Sequence, residues 1–223
     1  MPAEELPGTM ELVLRPEQGA PLTLPATLHG AGVPTAYYSL RHTFEAPGTY
    51  SVSATLEGQE LQRLVRVVPP EEVTLVQPGE RAIPVATPTT ADARGVDPIC
   101  TREPACPFHE ITLADALANG KPTVFLVSTP LFCQTAACGP VLDLLIDAAP
   151  QGSGMNVVHA EVYADAVATG NVMRSQLTEA VSAYQLTFEP SLLAIDAAGL
   201  VVDRLDFLYD ASELQMTLQK LTG

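Results

Sequence analysis

PTVFLVSTPLFCQTAACGPVLDLLIDAA, residues 122–149, holds the reading on which the fold turns. Thr123 to Val127 is a continuous apolar run with β-branched and aromatic members, the pattern of a strand covered on both faces in a parallel sheet. Residues 138–149 read as a helix with apolar residues at helical spacing. Between strand and helix stand Cys133 and Cys138, with four residues between them. A thiol delivered to the start of a helix meets unpaired N–H groups and partial positive charge, which favour the reactive thiolate. In a regular helix five residues advance about 7.5 Å and turn about 500°. A disulfide needs Cα atoms within about 7 Å and facing Cβ vectors. A disulfide between these two cysteines therefore needs either an irregular first turn around Gln134 to Ala137 or unwinding of the helix on oxidation; the expectation is a loop-like turn, with Cys133 at or before the N-cap and Cys138 deeper in the helix.

Outward from this stretch, the pattern alternates between helix and strand. Upstream, ITLADALANG (111–120) reads as a helix with Thr112 as N-cap, Leu113, Ala116 and Leu117 on one face and Gly120 as its end. Downstream, GMNVVHAEVYA (154–164) is a second buried strand and LTEAVSAYQL (177–186) a further helix. SLLAID (191–196) and GLVVDRLDFL (199–208) form a hairpin, and ASELQMTLQKL (211–221) closes with an amphipathic helix. The order α-β-α-β-α-β-β-α defines a C-terminal α/β domain over residues 108–223.

The first part of the chain has another texture. MELVLRP, PLTLPATL, TAYYSLRHTF, TYSVSATLEG and QELQRLVRVV are short alternating segments bounded by Pro or Gly, which predicts an all-β sandwich over residues 8–69. Residues 70–107 carry many turn formers, few large apolar residues and no sustained period, and read as a Pro-rich linker, with one short strand at VTLVQ (73–77).

Two resemblances sharpen this outline. HTFEAPGTYSVSATLEG (42–58) resembles a signature of bacterial immunoglobulin-like domains, which implies Phe44, Tyr50, Val52 and Ala54 in a core and a turn at Pro47-Gly48. The C-terminal region resembles the thioredoxin superfamily in Cys133 after a buried strand, in Pro140 within the following helix and in Pro190 of TFEPSLLAID. That resemblance implies a thiol-disulfide oxidoreductase in which Cys133 is the nucleophile, Cys138 resolves the mixed disulfide, Pro190 is a cis-proline and Pro140 kinks the helix. It implies Phe132 and Glu189 as substrate-contacting positions, with the main chain of Glu189 free to pair with a substrate strand. It further implies protein thiols or disulfides as partners and no cofactor. The family commonly places two residues between its cysteines, so four here leave the direction of electron flow open.

Other readings stand beside this one. The pair could be a static staple in a non-catalytic adaptor. A peroxiredoxin-like peroxidase shares a four-residue gap, but it wants Thr three positions before the cysteine, where this chain has Pro130, and an Arg where it has Glu189-Pro190-Ser191. His109 and His159 invite comparison with thioredoxin-like copper chaperones, although no His follows His159 in the chain. Asp143, Asp147 and Glu161 are candidates for an acid that serves the resolving cysteine. Cys100 and Cys106, in DPICTREPACPFHE (97–110), read as a structural disulfide closing a small loop or as a second redox couple. The spacings of the four cysteines do not match the usual zinc ribbons, so no metal site is expected.

Composition limits the remaining classes. A formal charge of −15, with only 11 Lys and Arg among 223 residues, opposes a nucleic-acid groove. No apolar run reaches the roughly 18 residues of a membrane span, and an even cysteine count in close pairs suits an oxidising compartment. The expectation is an extracytoplasmic protein, periplasmic, secreted or anchored through a removed signal segment.

Overall fold

The computed structural model describes residues 6–133, 135–149 and 154–222. Two compact units emerge, one of Met1–Ala31 with Thr35–Thr74, the other of Leu75–Gly223 with Gly32–Pro34. No helix among the described residues is long and apolar enough to cross a membrane.

The first unit is β-rich, and every pairing in it is antiparallel. Strands β1 (Thr9–Pro16), β2 (Leu22–His29), β3 (Tyr37–Ser39), β4 (Gly48–Leu56) and β5 (Gln59–Val67) form one sheet in the order β3-β2-β1-β4-β5. β4 and β5 are joined by Glu57 and Gly58, at φ 51° and 77°. Two successive residues of positive φ give the turn the twist that matches a tight hairpin. The expected sandwich needs two sheets, whereas the described residues of this unit form one. Its buried side chains are correspondingly few and small, among them Leu14, Ala26, Ser53 and Ala54. Of the four expected core positions, Ala54 is buried, while Phe44, Tyr50 and Val52 are half-buried. Phe44 and Tyr50 meet edge to face at 4.7 Å, and the Tyr50 hydroxyl donates to the Ala46 carbonyl at 2.8 Å.

The second unit is α/β. Helix α1 (Leu113–Ala118) precedes β6 (Thr123–Val127), followed by α2 (Cys138–Ala148), β7 (Asn156–Ala160), α3 (Ala166–Thr169), α4 (Glu179–Ala183), β8 (Ser191–Ile195), β9 (Val201–Asp206) and α5 (Ala211–Gln219). The sheet order is β7-β6-β8-β9, with β6 parallel to β7 and antiparallel to β8, and the expected hairpin is the antiparallel pair β8–β9, so the sheet is mixed. Alternation along β6 divides the core. Phe125 and Val127 join Leu113, Val181 and Tyr184 on the α1/α4 face, while Val124 and Leu126 join Val141, Leu142, Leu145 and Leu214 on the α2/α5 face. α1 starts as its sequence requires: Thr112 caps it by accepting from the Asp115 N–H, and Gly120 ends it at φ 73°.

Residues 75–107 are not a linker. Val76, Ala82 and Val85 enter the α1/α4 core, and Cys100 and Cys106 enter the other. Gly79 N–H donates to the Val201 carbonyl and Val201 N–H to that of Glu80, so this stretch satisfies its main chain along β9. Arg81 bridges Leu200 in the same place, and VTLVQ forms no strand. The segment's hydrogen bonds and burial are long-range, which is why no local period announces them. The unit therefore begins near Leu75 instead of at Phe108.

Candidate functional site

β6 ends at Val127 and passes through the buried Ser128 and Thr129 into a turn that carries Phe132 and Cys133. The Phe132 N–H donates to the Thr129 carbonyl at 3.2 Å and that of Ala136 to the Cys133 carbonyl at 3.4 Å, with Ala136 at φ 55°. α2 starts only at Cys138, so the loop-like turn before it is present, although Gln134 lies outside the described residues. Cys133 and Cys138 are joined by a disulfide, their Cα atoms 5.9 Å apart. Cys138 is thus the first helical residue and not one deep in the helix. Pro140 sits in the first turn, where its missing N–H costs no helical hydrogen bond, so it does not kink α2.

The two sulfurs differ in setting. Cys133 is half-buried, and its Sγ accepts the Cys138 N–H at 3.3 Å and touches Thr135 Oγ1 at 3.3 Å. The α2 N-terminus therefore directs an orphan donor at this sulfur. Cys138 is fully buried, and its Sγ lies 3.4 Å from Glu189 Oε2.

Glu189 is the residue whose side-chain role the sequence did not disclose. Its Oε2 accepts the Thr129 N–H at 2.7 Å, yet burial pushes its pKa up to about 7, partly offset by that hydrogen bond. It stands two residues before the β6–β8 ladder begins at Ser191, and the Glu189–Pro190 bond is cis, as the resemblance implied. Of the acids considered from sequence, Asp143 forms an ion pair with Arg102 at 2.6 Å on the surface of α2. Glu161 is buried and binds Thr101 N–H at 2.6 Å; burial raises its pKa to about 8. A signal for Glu189 existed in its adjacency to Pro190, but that adjacency concerned the main chain.

Beside Glu189 opens a groove of about 370 Å³ lined by Tyr163, Leu177, Leu186, Phe188, Glu189 and Phe207 among others. Phe188 and Phe207 stack at 4.5 Å, and Phe207 and Leu177 are exposed. Phe132 is half-buried in the turn before Cys133 and is not among the groove's lining residues.

Cys100 and Cys106 are buried free thiols, so neither the structural disulfide nor an oxidised second couple is present. They come together with the two histidines of the second unit. Cys106 Sγ lies 3.2 Å from His109 Nε2 and 3.5 Å from His159 Nδ1, and these two nitrogens are 3.3 Å apart. The Cys106 N–H donates to Cys100 Sγ at 3.3 Å. The hydrogen bond from Cys106 draws the Cys100 thiol down, the same pairing pushes Cys106 up, and burial draws His159 down. The histidines weighed as copper ligands with Cys133 and Cys138 thus meet the other cysteine pair.

No protein-family model and no curated protein matches this chain.

Proposed function

We propose that the second unit is a thioredoxin-like domain and that the protein is a thiol-disulfide oxidoreductase of an extracytoplasmic compartment, acting on protein thiols or disulfides through Cys133 and Cys138. The observation that carries the reading is the asymmetry of the pair: one half-buried cysteine whose sulfur faces a helix N-terminus, one fully buried cysteine whose sulfur lies against a carboxyl group. Support for the class comes from connectivity. In sequence order the four strands β6, β7, β8 and β9 lie as 2-1-3-4, with the helix carrying Cys138 following the first of them, the arrangement of thioredoxin-like folds. A disulfide suits an oxidising compartment.

In the reducing direction, the Cys133 thiolate attacks one sulfur of a substrate disulfide. That bond breaks, a Cys133–substrate disulfide forms, and the departing substrate sulfur leaves as a thiolate that takes up a proton. Cys138 then gives its proton to Glu189 and attacks Cys133 Sγ. The second substrate sulfur leaves as a thiolate, the substrate has gained two electrons, and the enzyme holds the Cys133–Cys138 disulfide. The oxidising direction runs the same steps backwards. The apolar groove beside Glu189 receives the flanking substrate chain, which pairs with the main chain of Glu189, since the Pro190 carbonyl already accepts the Phe207 N–H at 2.9 Å.

The test combines equilibration of the Cys133–Cys138 couple in graded glutathione buffers with partner trapping. Cys138→Ser should accumulate mixed disulfides through Cys133, and Cys133→Ser should accumulate none. A pair that stays closed across the whole glutathione range, with no trapped species, would mark a structural staple and overturn the reading.

A further inference from the structure

We propose that Cys100, Cys106, His109 and His159 form a closed, tetrahedral zinc site that pins the irregular segment 75–109 to the sheet. All four ligand atoms lie within 4.8 Å of one another. Zinc bonds of about 2.3 Å to sulfur and 2.0–2.1 Å to nitrogen require tetrahedral edges of roughly 3.3 Å between nitrogens and roughly 3.5 Å between nitrogen and sulfur by simple geometry. The nitrogens stand 3.3 Å apart, and the sulfur–nitrogen separations are 3.2 and 3.5 Å. Three of the six edges therefore already have the lengths of a zinc tetrahedron, and Cys100 Sγ lies within 4.8 Å of the other three ligand atoms.

The neighbours fit a metal better than a hydrogen-bonded quartet. Cys106 Sγ has two imidazole nitrogens within reach and can give a proton to only one of them, so lone pairs are left facing each other in a site closed to water. A cation at the centre satisfies all four at once. His159 Nε2 lies 3.1 Å from the Ser128 carbonyl, an acceptor that fixes the proton on Nε2 and leaves Nδ1 bare toward the cluster. The Cys106 N–H on Cys100 Sγ provides the hydrogen bond a bound thiolate wants. Exposures of 6%, 5%, 2% and 0% for the four residues in chain order leave no open position for a substrate or water, which makes the site structural and not catalytic. Such a site also accounts for two thiols that remain unjoined six positions apart while Cys133 and Cys138 pair.

The site has a mechanical reach. Thr101, next to Cys100, accepts the Leu131 N–H at 3.2 Å with its hydroxyl and donates to Glu161, so the zinc loop supports the turn that carries Cys133. The inference does not depend on the redox reading, because none of the four ligands belongs to that pair.

The experiment is elemental analysis of the full chain purified without chelator, together with cobalt(II) substitution of the reduced, metal-stripped protein. One zinc ion per chain is expected, along with the ligand-field bands of tetrahedral cobalt and a thiolate-to-metal charge-transfer band of two-sulfur intensity. The Cys133→Ser/Cys138→Ser double variant should keep zinc and Cys106→Ser should lose it. A folded wild-type protein that holds no zinc and gives no tetrahedral cobalt spectrum overturns the proposal, as does zinc lost with the Cys133/Cys138 pair instead. Copper bound to the exclusion of zinc also overturns it. Should Cys106→Ser fail to fold, the wild-type cobalt spectrum alone decides, since its charge-transfer intensity counts the thiolates.

Discussion

At the scale of single residues, Glu189 has the sharpest consequences. A carboxyl whose folded pKa is near 7 is protonated below that value and cannot take a proton from Cys138. The resolving step should therefore accelerate as pH rises through about 7. Glu189→Gln should remove that inflection and slow resolution by about 100-fold, read by stopped-flow on a preformed Cys133 mixed disulfide. The same shift has a stability signature. Because the folded protein holds this proton to a higher pH than the unfolded chain, whose value lies near the ordinary 4.5, wild-type stability falls as pH rises from about 4.5 to about 7. Other titrating groups overlay that slope, so the informative quantity is the difference between wild type and Glu189→Gln across denaturant titrations at pH 5 and pH 8. The variant should gain on the wild type by on the order of 1–2 kcal/mol, discounted for the residue's partial exposure. Tyr163 faces the same carboxyl and Cys138 touches it, so the comparison is best made with the disulfide closed.

At the scale of elements, the caps and turns carry the information. Thr112 is followed three residues later by Asp115, and the structure closes the reciprocal pair: the Asp115 N–H reaches Thr112 Oγ1 at 3.0 Å and the hydroxyl donates to the Asp115 carboxylate at 2.7 Å. Thr112→Ala should cost about 1 kcal/mol of stability, measured by urea unfolding. The segment that reads as a linker gives the opposite lesson. Val85 is 1% exposed and packs in the α1/α4 core, so Val85→Ala should cost about 2 kcal/mol. A true linker position would change stability by less than about 0.5 kcal/mol, and the same unfolding curve separates the two. Turn-forming residues that reach across to β9 and into two cores leave no periodic trace, since their partners lie on other elements and not within the stretch itself.

At the scale of the whole molecule, the boundary between the units makes a prediction. Residues 75–223 bring with them the side chains that complete both cores of the α/β unit, whereas a fragment from Phe108 leaves Val76, Val85, Cys100 and Cys106 behind. The longer fragment should keep its near-ultraviolet circular dichroism and unfold cooperatively. The shorter one should lose both, because the faces opposite Tyr184 and Leu126 would be open to water. Equal behaviour of the two fragments would return residues 75–107 to the status of a tether.

The sequence alone determined the strands of the α/β unit and its helices other than the short α3, together with the cap of α1, the site of Cys133 before a helix and the hairpin after Pro190. Each of these rests on interactions within about ten residues, which local period and turn chemistry record. Only the tertiary structure decided that the described strands of the β unit form one sheet, that segment 75–107 contributes to both cores, that Cys138 has Glu189 for a neighbour, and that Cys100 and Cys106 meet His109 and His159. Those facts depend on where distant segments close on one another, and burial, lone-pair convergence and proton affinity are properties of the closed space and not of any one stretch of chain.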